Sequence, residues 1–233
     1  MSFRRVVQWF LDLPLRRKLI LSFLAIIAIG GILTLLVGTR LEHQTIISLA
    51  EAKVRHDLAS AWMVYEEQLS SLRNIVRLSA SQEFLREALR GPDLVGVSGR
   101  LDGIRREYGL DVLNLTDARG RVVVRARSAD ATVGDDAGHD PFVARALRKE
   151  VAAGTRIVSR DELLREGPDL ADRAWFQFVP TPKAAVRPED HEDKGMLLAA
   201  AAPVLDDSSS LLGALTGGLL FNRNFDLVDR VKD

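Results

Sequence analysis

The sequence predicts an α+β protein: a membrane-crossing helix, a long helix continuing from it, and an antiparallel sheet of about five or six strands flanked by helices. Three observations carry this. Residues 19–38, LILSFLAIIAIGGILTLLVG, hold no charge. Residues 40–90 lack proline and are dominated by Leu, Ala, Glu and Arg, all good helix formers. Beyond Leu110 the apolar pattern changes to short strand-like runs separated by turn residues.

The uncharged segment is read first. At about 1.5 Å rise per residue, 20 residues span roughly the 30 Å of a bilayer's hydrocarbon layer. Gly30 and Gly31 suit a membrane helix better than a helix in water. Arg4, Arg5, Arg16, Arg17 and Lys18 precede it, against one acid, Asp12. Short basic flanks stay in the cytoplasm, so the N-terminus is expected inside and residues 39–233 outside. Of the 32 basic and 32 acidic residues, 27 and 31 then lie beyond the segment, a balance of −4. A cleaved signal peptide is the alternative, but VGTRLEH follows without an A-x-A site, which favours an uncleaved anchor.

The whole chain of 233 residues has zero formal net charge, 47% hydrophobic and 27% charged residues. That excludes a disordered chain and argues against a nucleic-acid partner, since no positive excess meets phosphate. The absence of cysteine excludes disulfides, thiolate metal sites and cysteine nucleophiles.

Along the long helix, Leu58, Trp62, Tyr65, Leu69, Leu72 and Val76 step by four and three, an a/d stripe. The stripe packs on the protein's own domain or forms a parallel dimer seam, and one helix can do both. Gly91-Pro92-Asp93 breaks the helix, and residues 95–108 allow a short one. Residues 110–117 and 121–125 read as a hairpin around Asp117-Ala-Arg-Gly120. Asp140-Pro141 opens a helix, as cap and first residue. Residues 154–159 form a strand, and Ser159 and Glu162 have capping-box spacing. Residues 175–181, WFQFVPT, read as a strand, and 196–205 with 211–221 as a central hairpin. Asn222 and Asn224 are expected to cap a last helix over 225–232. The helices are expected on one face of the sheet, over a single core.

The stretch from Lys194 to Val204, KGMLLAAAAPV, and the stretch from Gly213 to Asp233, GALTGGLLFNRNFDLVDRVKD, resemble Cache-domain sensory receptors of bacteria. The double-Cache type, found ahead of sensor histidine kinases and methyl-accepting chemotaxis proteins, is the most similar. Val179-Pro-Thr-Pro-Lys-Ala184 and the layout of basic terminus, anchor and long helix agree with it. The resemblance implies a PAS-like sheet and four regions. These are a cytoplasmic terminus (1–18), a transmembrane helix (19–38), a long stalk or dimer helix (39–92) and a PAS-like sensor domain (93–233). It also implies that a second sheet, a second membrane helix and an output domain follow, either kinase or chemotaxis. The full-length protein would then be an enzyme only through a kinase output. An inner-membrane homodimer binding a small metabolite, such as an amino acid, carboxylate or amine, is what the family leads one to expect.

Enzymatic constellations are poor. H-E-x-x-H, G-x-S-x-G and the phosphate-binding P-loop pattern are all missing. No catalytic residue, metal ligand or cofactor is assigned. The acidic loop around His191 reads as solvated, and Gly217-Gly218 as close packing rather than a phosphate loop. The candidate ligand-binding residues are Arg125, Arg127, Gln177, Thr181 and Lys183. Arginine grips a carboxylate through two parallel hydrogen bonds, and Arg125 and Arg127 would share a strand face. Gln177 and Thr181 alternate with Phe176 and Phe178, and Lys183 follows. The Tyr-Arg-Trp-Tyr-Asp pattern of the amino-acid-binding subgroup is missing, which puts an α-amino acid in doubt. The rival readings are a membrane-anchored periplasmic enzyme, which lacks a visible acid, base and nucleophile, and an interaction module whose pocket its own side chains fill.

Overall fold

The structure, a computed structural model, describes residues 14–91, 94–127, 133–179, 181–182 and 188–224, without the side chains of 37–50 and Val95. The chain divides into two compact units, Met1–Ala59 and Ser60–Asp233. Helix α1 runs over Leu15–Ala80. In the first unit, Leu15–Leu36 is long and apolar enough to cross a membrane, by length and composition. Its side chains from 19 to 36 are all exposed.

The second unit is an α+β fold. After α1 come α2 (Glu83–Arg90), α3 (Val95–Glu107), β1 (Val112–Asp117), β2 (Val122–Arg125) and α4 (Pro141–Ala146). Then follow β3 (Ala152–Val158), α5 (Arg160–Glu166), α6 (Pro168–Ala174), β4 (Phe176–Gln177), β5 (His191–Glu192), β6 (Gly195–Leu205) and β7 (Leu211–Leu220). Five antiparallel strands make the main sheet in the order β2-β1-β7-β6-β3, and β4 and β5 pair separately. The expected hairpin is β6–β7, with β7 central.

The expectation that helices lie on one face is corrected: they cover both. Strand alternation divides the apolar side chains into two sets. On one face Leu113, Leu115, Leu198, Ala200 and Leu215 pack with Leu72 and Val76 of α1, Leu85 of α2 and Leu101 of α3. On the other, Val112, Val158, Leu197 and Ala199 pack with Leu163 of α5 and Leu170 of α6, and Ala146 of α4 lies on Ala201 and Ala214. Both faces bury apolar surface, so β6 is an almost continuous apolar run rather than an alternating one.

The a/d stripe divides along its length. Leu72 and Val76 are fully buried and Tyr65 and Leu69 pack at the core's edge, whereas Leu58 and Trp62 are exposed. The Tyr65 hydroxyl also hydrogen-bonds Thr155 Oγ1 of β3 at 3.1 Å. Gly217-Gly218 is close packing. A Cβ on Gly217 would meet Val76, and one on Gly218 would meet Leu197.

One further expectation changes, one helix is added and one expected helix is not described. Of the strand expected over 175–181 the described residues show the two of β4, with Phe178 N donating to Asp190 O beyond them and Phe176 and Phe178 packed edge to face at 5.7 Å. Helix α6 was not foreseen; Pro168 occupies its first turn, where a missing N–H costs nothing. The last helix, 225–232, lies outside the described residues. The Asn222 side chain is engaged elsewhere: Oδ1 accepts from Met196 N at 2.7 Å, and Nδ2 donates to Ala174 O at 3.2 Å.

Candidate functional site

A β-bulge builds the site. The register between β1 and β2 runs Asn114–Arg125, Leu115–Val124, Thr116–Val122, so Val123 is the extra residue. A bulge shifts the following side chains to the opposite face. Val122 and Arg125, three apart, therefore both join Asn114 and Thr116 on the face covered by α4–α6, while Val124 packs on the α1 side.

Between that face and α4–α5 lies a cavity of about 90 Å³. One water needs roughly 10–15 Å³ on such a measure, so there is room for several waters or a small metabolite. Small residues of the central strands, Ala199 and Thr216, leave the space open beneath Phe142 and Leu163. Helix α4 is set by Asp140, whose Oδ1 accepts from Phe142 N at 2.7 Å and Val143 N at 3.2 Å. Helix α5 is set by Ser159, whose Oγ accepts from Glu162 N at 3.2 Å. The other half of the expected capping box is diverted, because Glu162 pairs with Arg156 at 3.1 Å.

Arg125 is 4% exposed at the cavity wall. Its Nη2 donates to both carboxylate oxygens of Asp135 at 2.7 Å, and its Nη1 donates to Glu166 Oε1. Asn114 Nδ2 donates to the same Glu166 oxygen at 2.7 Å. Asp135 is delivered by backbone bonds beside β2: Val122 N donates to Asp135 O and Gly134 N to Val122 O. Burial pushes the Glu166 carboxyl above its ordinary 4.5, against the opposing pulls of Arg125 and the Asn114 hydrogen bond. Glu166 Oε2 and Asn114 Oδ1, both buried, accept no hydrogen bond from the described residues.

The expected site residues separate. Arg125 lines the cavity. Arg127 does not share its strand face; it follows β2 in a turn, donating to Asp169 at 2.6 Å and to Asp111 O at 3.2 Å. Gln177 and Thr181 are exposed and do not line the cavity, and Lys183 lies outside the described residues. Asn114, Asp135 and Glu166 were missed. A polar residue inside the apolar run of β1 was the one available signal, for Asn114; Glu166 reaches the site only through the tertiary fold.

Helices α5 and α6 join at Gly167, so Glu166 ends one and α6 begins at once. At its far end α6 is bonded to the exit of β7. Arg173 donates to Leu220 O at 3.2 Å, Asn222 to Ala174 O, and Arg223 to Trp175 O at 2.9 Å. Asp111 reinforces the junction by accepting from Arg173 at 2.6 Å and from Leu220 N at 2.7 Å. A second depression, at Arg160, Trp175 and His191, is wide open to solvent and encloses nothing. Among the described residues no group of three His, Asp or Glu is placed to hold a metal ion.

No family model matches the chain, and no curated protein matches its sequence. Solved structures do match its fold. The sensor domain of the V. cholerae histidine kinase DctB aligns with a TM-score of 0.54 at 12% identity, over 78% of this chain and 58% of that one. The E. coli DcuS sensor domain aligns with a TM-score of 0.48 at 14% identity, over 73% and 99%. The P. aeruginosa PAO1 amino-acid chemoreceptor PctC ligand-binding domain, in complex with GABA, gives 0.39 at 14% identity, over 75% and 62%.

Proposed function

We propose that the fold, shared with the DctB sensor domain, is that of Cache-type, PAS-like extracytoplasmic sensor domains. From this premise we propose that the chain is the small-ligand-sensing part of a bacterial transmembrane receptor, anchored once in the inner membrane with its N-terminus in the cytoplasm. The cavity walled by Arg125, Asn114 and Glu166 carries the reading. It is partly open to solvent, apolar over about half of its lining and furnished with a few converging polar groups. A two-component histidine kinase is the proposed output, with a chemotaxis output as the alternative; the chain spans just over half of the DctB sensor domain it matches. The exposed residues Leu58 and Trp62, continuing the stripe whose other end is buried, support a homodimer.

Thermal-shift screening of the full chain in detergent against a metabolite library tests this reading. The expected result is a saturable, compound-specific rise in melting temperature. No rise with any compound sinks it, and so does protease accessibility of the sensor domain from the cytoplasmic side of sealed vesicles.

A further inference from the structure

We infer that Glu166 and Asn114 form a proton-binding site, which closes as a carboxylic acid–amide pair when pH falls. The inference does not depend on the cavity holding an organic ligand. The two side chains already share one hydrogen bond, Asn114 Nδ2 donating to Glu166 Oε1 at 2.7 Å. Each keeps a further acceptor, Asn114 Oδ1 and Glu166 Oε2, that is buried and accepts nothing from the described residues. Buried acceptors are seldom left so. Two acceptors cannot bond each other, but a proton on Oε2 makes it a donor with Oδ1 as its acceptor. Both atoms are then satisfied at once, and no bond now present has to break. Reversing the amide is no substitute, because its NH2 group must face the carboxylate oxygen. Two donors, Arg86 Nε and Arg156 Nε, also lack a hydrogen bond, but both guanidinium groups are held in ion pairs. Arg156 Nε itself stands 3.0 Å from Asp140 Oδ2.

The surrounding charges decide which acid takes the proton. Arg125 of β2 faces two carboxylates, Asp135 and Glu166, so one negative charge is in excess on a buried guanidinium. Asp135 keeps its charge more easily. Arg125 Nη2 donates to both of its oxygens at 2.7 Å, Arg165 lies 3.7 Å away, and its side chain is 24% exposed. The Glu166 side chain is 11% exposed and has one oxygen without a donor. Burial, against the pulls of Arg125, Asn114 and Arg127, lifts its carboxyl above the ordinary 4.5, and Asp135 adds to the rise. Across the cavity Arg156 is held between Asp140 and Glu162, and Asp136 and His139 complete the titratable lining. The proton comes from solvent, to which the cavity is partly open. Its arrival removes one negative charge from the cavity wall and leaves Arg125 balanced by Asp135.

Infrared difference spectroscopy of the full 233-residue chain in detergent, between neutral and acidic pH, tests this. A protonated carboxyl band is expected to persist above the ordinary glutamate range. It is expected to shift when all glutamates carry carbon-13, and to vanish in Glu166→Gln. In Asn114→Ala the band is expected to move to higher frequency, because the acid loses its hydrogen-bonded partner. Imidazole gives no such band, so titration of His139 does not imitate the result. No protonated carboxyl above the ordinary range overturns the inference. A band that ignores the glutamate label, or that survives in Glu166→Gln, puts the proton on another acid and overturns it too. A band unmoved by Asn114→Ala overturns the pairing. If a variant fails to fold, the labelled wild-type chain decides alone. None of these outcomes bears on the sensor reading, which stands or falls with the metabolite library.

Discussion

Val76 of the long helix lies so close to Gly217 of the central strand that a Cβ on the glycine would stand 2.7 Å from Val76 Cγ2. Helix and sheet meet there with no room for a methyl group. Gly217→Val is therefore expected to destabilise the sensor fold by about 1–3 kcal/mol through overpacking. Gly103→Ala, in the exposed middle of α3 with nothing within 4 Å of its added Cβ, is expected to stabilise by about 0.5–1 kcal/mol. Denaturant melts of the two variants check the contrast; equal effects would mean that the contact does not constrain the packing.

The two arginines expected to act together differ in what they hold. Arg125→Ala strips a buried ion pair of its cation and is expected to cost about 3–5 kcal/mol. Arg127→Ala loses a pair whose acid, Asp169, is 57% exposed, and is expected to cost about 1 kcal/mol or less. Chemical denaturation of both measures the difference, and a small loss for Arg125→Ala would remove it from the framework of the site.

Glu166 predicts a pH dependence. Burial raises its folded pKa above the ordinary 4.5 of the unfolded chain. The folded state then holds the proton more tightly. This contribution to stability is fully present below the ordinary value and is lost as pH rises through the raised one. Glu166→Gln is expected to flatten that part of the profile, and melting temperatures across mildly acidic pH check it. A wild-type profile that rises over this window where the variant is flat would reverse the sign.

His191 titrates in the opposite setting, at the surface. A hydrogen bond between Nδ1 and Asp190 Oδ1 at 2.8 Å lifts its pKa above the ordinary 6.5, and the same contact lowers that of Asp190. Asp190→Asn is expected to bring the His191 midpoint down, read from its imidazole resonances in an NMR titration. An unmoved midpoint would assign the shift to Asp193 and Glu189 instead.

Local signals in the sequence were legible where a local interaction decides the structure. Asp140-Pro141 and Ser159 cap the helices they announce, and the apolar runs 196–205 and 211–221 pair as a hairpin. Of the residues lining the cavity, only Arg125 was singled out from the sequence as a binding residue. Its orientation depends on the bulge at Val123, which no residue type in Val122-Val-Val advertises. Its partners, Asp135 and Glu166, lie 10 and 41 positions away. Of the strand expected over 175–181 only Phe176–Gln177 is one among the described residues, and the rings of Phe176 and Phe178 pack on each other. Helix α6 was hidden behind Gly167-Pro168, which reads as an interruption until the proline is placed in a first turn.

The joint at Gly167 behaves like a crank. One arm ends in the carboxylate that grips the Arg125 guanidinium, and the other, seven residues long, is pinned at several points to the place where β7 leaves the sheet. A displacement of Glu166 is therefore expected to pull on the polypeptide at Asn222. If the small hole beside Glu166 takes a ligand, as we propose, its filling is expected to reach the outgoing strand by this route.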